Sequence, residues 1–236
     1  MGKAESQYRC SLGRKFAIAS HEVTADQFKK LRSEHVFNPS NATVLDLPAN
    51  EVSWNDALSY CNWLSHREGI PKDQWCYESD SAVADGMRLA SNYLRRTGYR
   101  LPTVSEWEYA CRAGSTTSRF YGETKSLMGR YAWYEINSNK MGTRPVGSFR
   151  PNDFGLFDMY GKTVEWCLTK NGWNPFRSEL TQEAEDLGKI NDTEYRMLRG
   201  GNFASPLAGL RSAACLVWRQ DTRSIHYGFR PTRTFP

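Results

Sequence analysis

The chain has 236 residues, 39% of them hydrophobic and 13% aromatic, and carries a formal net charge of +5. This length fits one large domain or two small ones, with enough apolar residues for a packed core. No apolar run approaches the roughly 20 residues of a membrane-spanning helix. The residues after Met1 are polar, so we expect no secretory signal.

In chain order, a polar lead-in is predicted over residues 1–15, followed by a single domain over 16–236. Three helices are predicted to begin at capping boxes, in which Ser or Thr is followed three residues later by Gln, Asp or Glu. Residues 176–194 contain six acids and little apolar pattern, which indicates an exposed insertion. The capping pairs are Thr24 with Gln27, Ser53 with Asp56, and Thr103 with Glu106.

The six cysteines form no C-x-x-C pair, and no histidine lies at zinc-finger spacing from them. Their even number would allow three disulfides. However, Cys61 and Cys111 lie on the apolar faces of predicted helices, where a reduced, buried thiol is the commoner state. We therefore expect a reducing, cytoplasmic environment.

Gly161-Lys162-Thr163 resembles the end of a phosphate-binding loop. That motif requires a glycine, four residues, and then Gly-Lys-Ser or Gly-Lys-Thr. Here five residues separate Gly155 from Gly161. The spacing argues against a nucleotide site and favours a turn that carries a solvated lysine.

The C-terminal segment from Arg199 onward contains six arginines and one acid, Asp221, so its charge of 6 − 1 = +5 equals that of the whole chain. Some of these arginines are expected to pair with buried groups, and others to face a ligand. Basic residues interleaved with aromatics can also bind nucleic acid, but these arginines are spaced through a folded segment without a lysine-rich groove. Trp, Tyr and Arg dominate binding hot spots. The predicted ligand-binding residues are Asn202, Trp218, Arg219, His226 and Tyr227.

Five fragments occur in a characteristic order along the chain. They are NEVSW at 50–54, YRLPTVSEWEYA at 99–110, PNDFGLFDM at 151–159, LRGG at 198–201 and GFR at 228–230. Together they resemble the formylglycine-generating enzyme family, also called the sulfatase-modifying factor family. The resemblance extends over about residues 16–234 and implies an irregular, C-type-lectin-like α+β fold with little regular secondary structure.

The resemblance implies two kinds of function. The founding enzymes are copper oxidases that use O2 to convert a sulfatase cysteine to formylglycine. Two cysteines with four residues between them hold the copper. Counted from Gly200-Gly201, the second of these cysteine positions is Cys215 and the first is Leu210. A leucine side chain cannot bind metal. An enzyme would therefore need Cys215 together with an unusual second ligand, such as His226 or Cys167.

The resemblance also implies a structural calcium, bound with the help of Asn and Glu in a Gly-Asn-x-Trp-Glu-Trp motif. This chain has Lys162 in place of that asparagine, before Glu165. An ammonium group repels a metal cation. We therefore expect Lys162 to take the calcium's place and to pair with Glu165, which leaves calcium at Glu165 doubtful.

The expected function is a non-catalytic module that recognises a protein or small ligand through the surface of residues 199–230. Variable proteins of diversity-generating retroelements, which display a diversified C-terminal surface on this fold, belong to that class. The alternative is a copper-dependent oxidoreductase that converts a protein cysteine to formylglycine. We expect no cofactor for the first function and copper for the second. Neither a membrane nor nucleic acid is an expected partner.

Overall fold

The structure is a computed structural model that describes residues 10–37, 46–78, 87–170, 181–182 and 194–235. Its α-helices are short apart from one. No helix in these ranges is long and apolar enough to cross a membrane. The helices are α1 (Ala25–Lys29), α2 (Trp54–Arg67), α3 (Val104–Arg112) and α4 (Glu135–Ser138).

Most strands are also short, as expected for an irregular α+β fold. In chain order they are β1 (Cys10–Ser11), β2 (Lys15–Ile18), β3 (Tyr77–Glu78), β4 (Arg88–Leu89), β5 (Tyr99–Arg100), β6 (Ala132–Trp133), β7 (Tyr160–Gly161), β8 (Val164–Lys170), β9 (Thr181–Gln182), β10 (Tyr195–Arg199), β11 (Cys215–Arg219), β12 (Tyr227–Gly228) and β13 (Thr232–Phe235).

The predicted capping boxes are confirmed at the starts of α1, α2 and α3, where each cap side chain accepts the backbone N–H three residues on. Glu106 does more than close its box. Its carboxylate also binds Arg100 at 2.6 and 2.7 Å and Arg14 at 2.7 Å. This buried ion cluster ties α3 to β5 and to the loop before β2, so Glu106 is a structural residue.

The central sheet has the strand order β11-β10-β8-β12. Strand β10 runs antiparallel to both of its neighbours, and β12 is parallel to β8. One row of the sheet is therefore Cys215, Arg199, Glu165 and Gly228. The C-terminal segment supplies two of the four strands, β11 and β12, and the last residue of β10, so it is part of the framework as well as of the surface.

A second sheet, β2-β13-β5, joins the start of the described chain to its end. Two buried clusters lie around the central sheet. One contains Trp54 and Trp166, and the other contains Trp107. The indole N–H groups of Trp54 and Trp166 donate to backbone carbonyls, which allows these large rings to be buried completely.

Part of the predicted lead-in forms a strand, because β1 pairs in parallel with β9. Strand β9 lies within the predicted insertion at 176–194. Apart from that strand and residue 194, the insertion lies outside the described residues. No disulfide joins the described cysteines, and four of the six, including Cys61 and Cys111, are buried.

Candidate functional site

Ion pairs with other described residues are formed by four of the six C-terminal arginines. The interpretation that some of them are structural holds for Arg199 and Arg230, which are buried. Of these four ion pairs, the Arg219–Asp221 pair alone has both side chains exposed to solvent. Hydrogen-bonded contacts join Arg199 to Glu108 at 3.0 Å, Arg223 to Asp56 at 2.9 Å, Arg219 to Asp221 at 2.7 Å and Arg230 to Glu165 at 2.7 Å.

Glu165 lies at the centre of the interior network. Its two carboxylate oxygens accept from Arg230 Nε and Nη2, each at 2.7 Å, and Oε2 also accepts from Trp107 Nε1 at 2.8 Å. The predicted pairing of Glu165 with Lys162 is therefore wrong. The bidentate geometry of a guanidinium suits a carboxylate better than a single ammonium does, and Arg230 directly follows the Gly-Phe step after β12.

Lys162 pairs instead with Asp158, with Nζ 2.8 Å from Oδ2. The ammonium also donates to the carbonyl oxygen of Pro145 at 2.5 Å. The side chain is completely buried, so the interpretation as a solvated lysine is wrong as well. The sequence predicted the turn correctly, but it did not show that Asp158 would lie beneath it.

Glu22 completes this interior network and was not predicted. Its Oε1 accepts from the Thr163 hydroxyl at 2.6 Å and from the Thr163 backbone N–H at 3.1 Å. Among the described residues, its Oε2 has no hydrogen-bond partner. Burial, and then the charges of Asp158 and Glu165, raise the pKa of Glu22 to about 8. Glu22 is therefore predominantly protonated at neutral pH, and the network balances two carboxylates against two cations.

The exposed part of the C-terminal segment is strand β11. It pairs only with β10 among the described strands, so it forms an edge of the central sheet. Leu216 and Trp218 are each 49% exposed, and Cys215 and Arg219 are exposed as well. Tyr195, opposite Arg219 on β10, is 48% exposed. These five residues are called the β11 surface below.

The structure brings some of the predicted binding residues together but not all of them. The rings of Trp218 and Tyr227 are 6.3 Å apart, although Tyr227 is buried and contributes mainly packing. The ring of His226 lies against Phe203 at 4.7 Å, and burial lowers the pKa of this histidine. Asn202 accepts the Ala204 backbone N–H, so its side chain stabilises a turn. Trp218 and Arg219 therefore remain the exposed candidates.

The residues present do not fit a two-thiolate copper site. Cys167 lies on β8, which is separated from Cys215 by β10, and strands two apart are about 9.5 Å from each other. Two sulfurs on one ion lie within about 4.6 Å, twice a metal–sulfur bond. His226 directly precedes β12, at the opposite edge of the sheet.

Ser205 and Leu210 are also separated by four residues, shortly after Gly200-Gly201. The structure brings these two side chains together beside Gly201, where an added Cβ would lie 3.2 Å from Ser205 Oγ and 2.6 Å from a Leu210 methyl. Neither residue carries a thiol. In the described part of the chain, no group of three or more His, Cys, Asp or Glu residues is arranged to hold a metal.

Comparisons with curated proteins identify relatives along most of the chain. The formylglycine-generating enzyme of Mycobacterium tuberculosis is 28% identical over 263 aligned positions, which cover 92% of this chain and 87% of the enzyme. The chaperone protein LppX of Paenibacillus barcinonensis is 31% identical over 64% of this chain. That second alignment spans 61% of the chaperone's own length.

Solved structures share the fold. Treponema denticola variable protein 1 superimposes with a TM-score of 0.75 at 25% identity, over 92% of this chain and 84% of that protein. PvdO from Pseudomonas aeruginosa gives a TM-score of 0.64 at 24% identity, over 93% of this chain and 80% of PvdO. The expected C-type-lectin-like fold is thereby confirmed.

The sequence profile of the sulfatase-modifying factor enzyme 1-like domain matches residues 2–235. This match covers nearly the whole chain and confirms the resemblance drawn from the five fragments. The chain belongs to the sulfatase-modifying factor enzyme 1-like domain family.

Proposed function

We propose that this protein is a non-catalytic recognition module that binds a protein partner through the β11 surface. The observation that carries the proposal is the exposure of Leu216 and Trp218, each at 49%, on an edge strand. Edge strands offer unpaired backbone N–H and C=O groups, and natural proteins commonly protect them with charges or proline. Strand β11 has a single charge, Arg219, at its end.

An extended peptide can add to such an edge as a further strand. Main-chain hydrogen bonds then supply affinity, while alternate side chains supply specificity. Leu216 and Trp218 alternate along β11 and point to the same face of the sheet, where the Trp218 ring meets Tyr227. This arrangement supports recognition of a partner segment with apolar side chains at alternate positions.

The comparisons are compatible with a binding role but do not establish it. A chaperone and a variable protein occur among the similar proteins, together with formylglycine-generating enzymes. In this chain, Cys215 has no thiol neighbour suitable for copper among the described residues. We further propose that the β11 surface tolerates diversification, because its exposed side chains make few core contacts, and that the module works in the reducing cytoplasm.

The experiment uses a phage-displayed random peptide library, panned against the purified protein. Trp218→Ala should weaken the enriched peptides at least tenfold, since aromatic hot spots contribute about 2 kcal/mol or more and about 1.4 kcal/mol is tenfold. The matched control is Tyr109→Ala. Tyr109 is an aromatic of 54% exposure on α3, where it contacts Phe16 and Phe154 and lies outside the β11 surface.

Peptides that bind the Trp218→Ala and wild-type proteins equally would contradict the proposal, as would the absence of any enrichment. Melting temperatures of both variants should remain close to that of the wild type, because each ring is about half exposed. A loss of binding in Tyr109→Ala alone would place the recognition surface around α3 instead of β11.

A further inference from the structure

The calcium site that the family resemblance implies has a different occupant here, the ammonium of Lys162. This side chain is completely buried, and its Nζ lies 2.8 Å from Asp158 Oδ2 and 2.5 Å from the carbonyl oxygen of Pro145. A carboxylate oxygen and a backbone carbonyl are the donor types that Ca²⁺ takes in proteins. The donor set is thus suited to a cation, and a covalently attached cation already fills it.

Most of the other carboxylate oxygens nearby are also committed, and the exceptions among the described residues are Asp158 Oδ1 and Glu22 Oε2, which accept no hydrogen bond. Both oxygens of Glu165 accept from Arg230, and one accepts from Trp107. Asp158 Oδ2 accepts from the Gly147 backbone N–H at 2.6 Å in addition to its ion pair. A divalent ion at this position would meet the Lys162 ammonium, and like charges at short range repel. The residues present therefore do not fit calcium.

We propose that the Lys162 ammonium replaces the family's structural metal ion, so that this protein assembles its C-terminal segment without calcium. The contacts of the ammonium with Pro145 and Asp158 join the segment before residue 150 to β7 and to the turn that follows it at Lys162. Strand β7 and this turn also hold the Gly200-Gly201 step in place.

Two backbone contacts make that second connection. The Gly161 N–H donates to the Gly200 carbonyl, and the Phe203 N–H donates to the Lys162 carbonyl, each at 3.0 Å. The turn is therefore positioned between the buried ammonium and the base of the segment that leads to β11. Loss of the ammonium should therefore destabilise both this turn and the segment that leads to β11.

The backbone at this position offers a direct test. Lys162 has φ = 55°, in the left-handed region, where Asn is several-fold enriched among non-glycine residues. Lys162→Asn consequently keeps the backbone conformation, removes the ammonium and supplies an oxygen ligand. Lys162→Met removes the ammonium and supplies no ligand, so it is the matched control.

The experiment compares melting temperatures of the three full-length proteins in 2 mM CaCl2 and in EGTA, with bound calcium measured after equilibrium dialysis. We expect the wild type to melt at the same temperature in both buffers and to retain no calcium. In EGTA both variants should melt about 10 °C lower, because removing one partner of a buried ion pair is strongly destabilising. Calcium should raise the melting temperature of Lys162→Asn by several degrees, with about one ion bound, and leave Lys162→Met unchanged.

Stoichiometric calcium in the wild type, or a melting temperature that falls when EGTA is added, would overturn the proposal. An unchanged stability of Lys162→Met would overturn it as well, since the ammonium would then stabilise nothing. A Lys162→Asn protein that binds no calcium would show that the ammonium and the metal do not share a site. Should either variant fail to fold, the calcium arms on the wild type still decide the question.

Discussion

Replacing Arg230 by methionine should strongly destabilise the protein, although the C-terminal arginines first suggested a ligand. Arg230 is completely buried, and its guanidinium binds both oxygens of Glu165 at 2.7 Å. It also donates to the carbonyls of Ala19 and Phe157 at 3.2 and 3.0 Å. Met preserves much of the side-chain volume but leaves the Glu165 carboxylate buried without its counter-charge.

The expected loss is about 3–5 kcal/mol in the free energy of unfolding, the range for breaking a buried ion pair by removing one partner. For a chain of this size, about 1 kcal/mol corresponds to a shift of about 2–4 °C. The melting temperature should therefore fall by at least about 6 °C. Trp107 would still donate to Glu165 at 2.8 Å, which places the expected loss towards the lower end of the range.

The assay is urea denaturation followed by tryptophan fluorescence, together with a thermal melt. The matched control is Arg219→Met, because the ion pair of Arg219 with Asp221 is about half exposed and pairs of that kind contribute about 0–1 kcal/mol. The double variant Arg230→Met, Glu165→Leu should recover part of the loss by removing the unpaired carboxylate. Equal stability of Arg230→Met and Arg219→Met would refute this reasoning.

Two further predictions concern the same interior. Burial, and then the charges of Asp158 and Glu165, raise the pKa of Glu22 to about 8. Between pH 4.5 and 8 the folded state therefore keeps the Glu22 proton, while the unfolded state loses it. The contribution of Glu22 to stability is thus fully present below pH 4.5 and declines as the pH rises to 8. The stability of wild type relative to Glu22→Gln should thus decrease by up to about 1.4 kcal/mol per pH unit across that window, and a pH-independent difference in urea denaturation would contradict the assignment. Gly161→Ala should cost more than about 2 kcal/mol, because Gly161 has φ = 81° and an added Cβ would lie 2.1 Å from the Trp133 carbonyl oxygen; Gly155→Ala, which has a similar φ but open space around it, is the control for the steric part.

The helix starts could be predicted from the sequence because capping is local. Thr24, Ser53 and Thr103 each bind a backbone group three residues away, so a window of four residues contains the whole interaction. The strands are two to seven residues long, and many are too short for an alternating pattern. Their pairing depends on contacts between distant segments, such as β2 with β13, and the family resemblance supplied that fold where periodicity could not.

The site was predicted only in part, because the exposure of a strand residue depends on which distant side chains pack against it. Strands β11 and β12 are both edges of the central sheet. Trp218 and Arg219 are exposed on β11, while Tyr227 on β12 is buried against Trp166. The partner of Lys162 was assigned from the six-residue motif at 161–166, in which Glu165 lies three residues after the lysine. Asp158 lies four residues before Lys162 and forms an ion pair with it. This pair could be recognised only once the backbone geometry was known.

The central claim is that this family member recognises a partner and does not carry out copper-dependent oxidation. The most direct test is the copper content and O2 uptake of the purified protein after reconstitution with Cu(I), in the presence of a cysteine-containing peptide and beside Cys215→Ser. We predict no one-to-one copper that depends on Cys215, and no O2 uptake above that of the variant. Tight one-to-one copper lost in Cys215→Ser, with O2 consumed over the peptide, would contradict the account and make the protein an oxidase with an unusual second ligand.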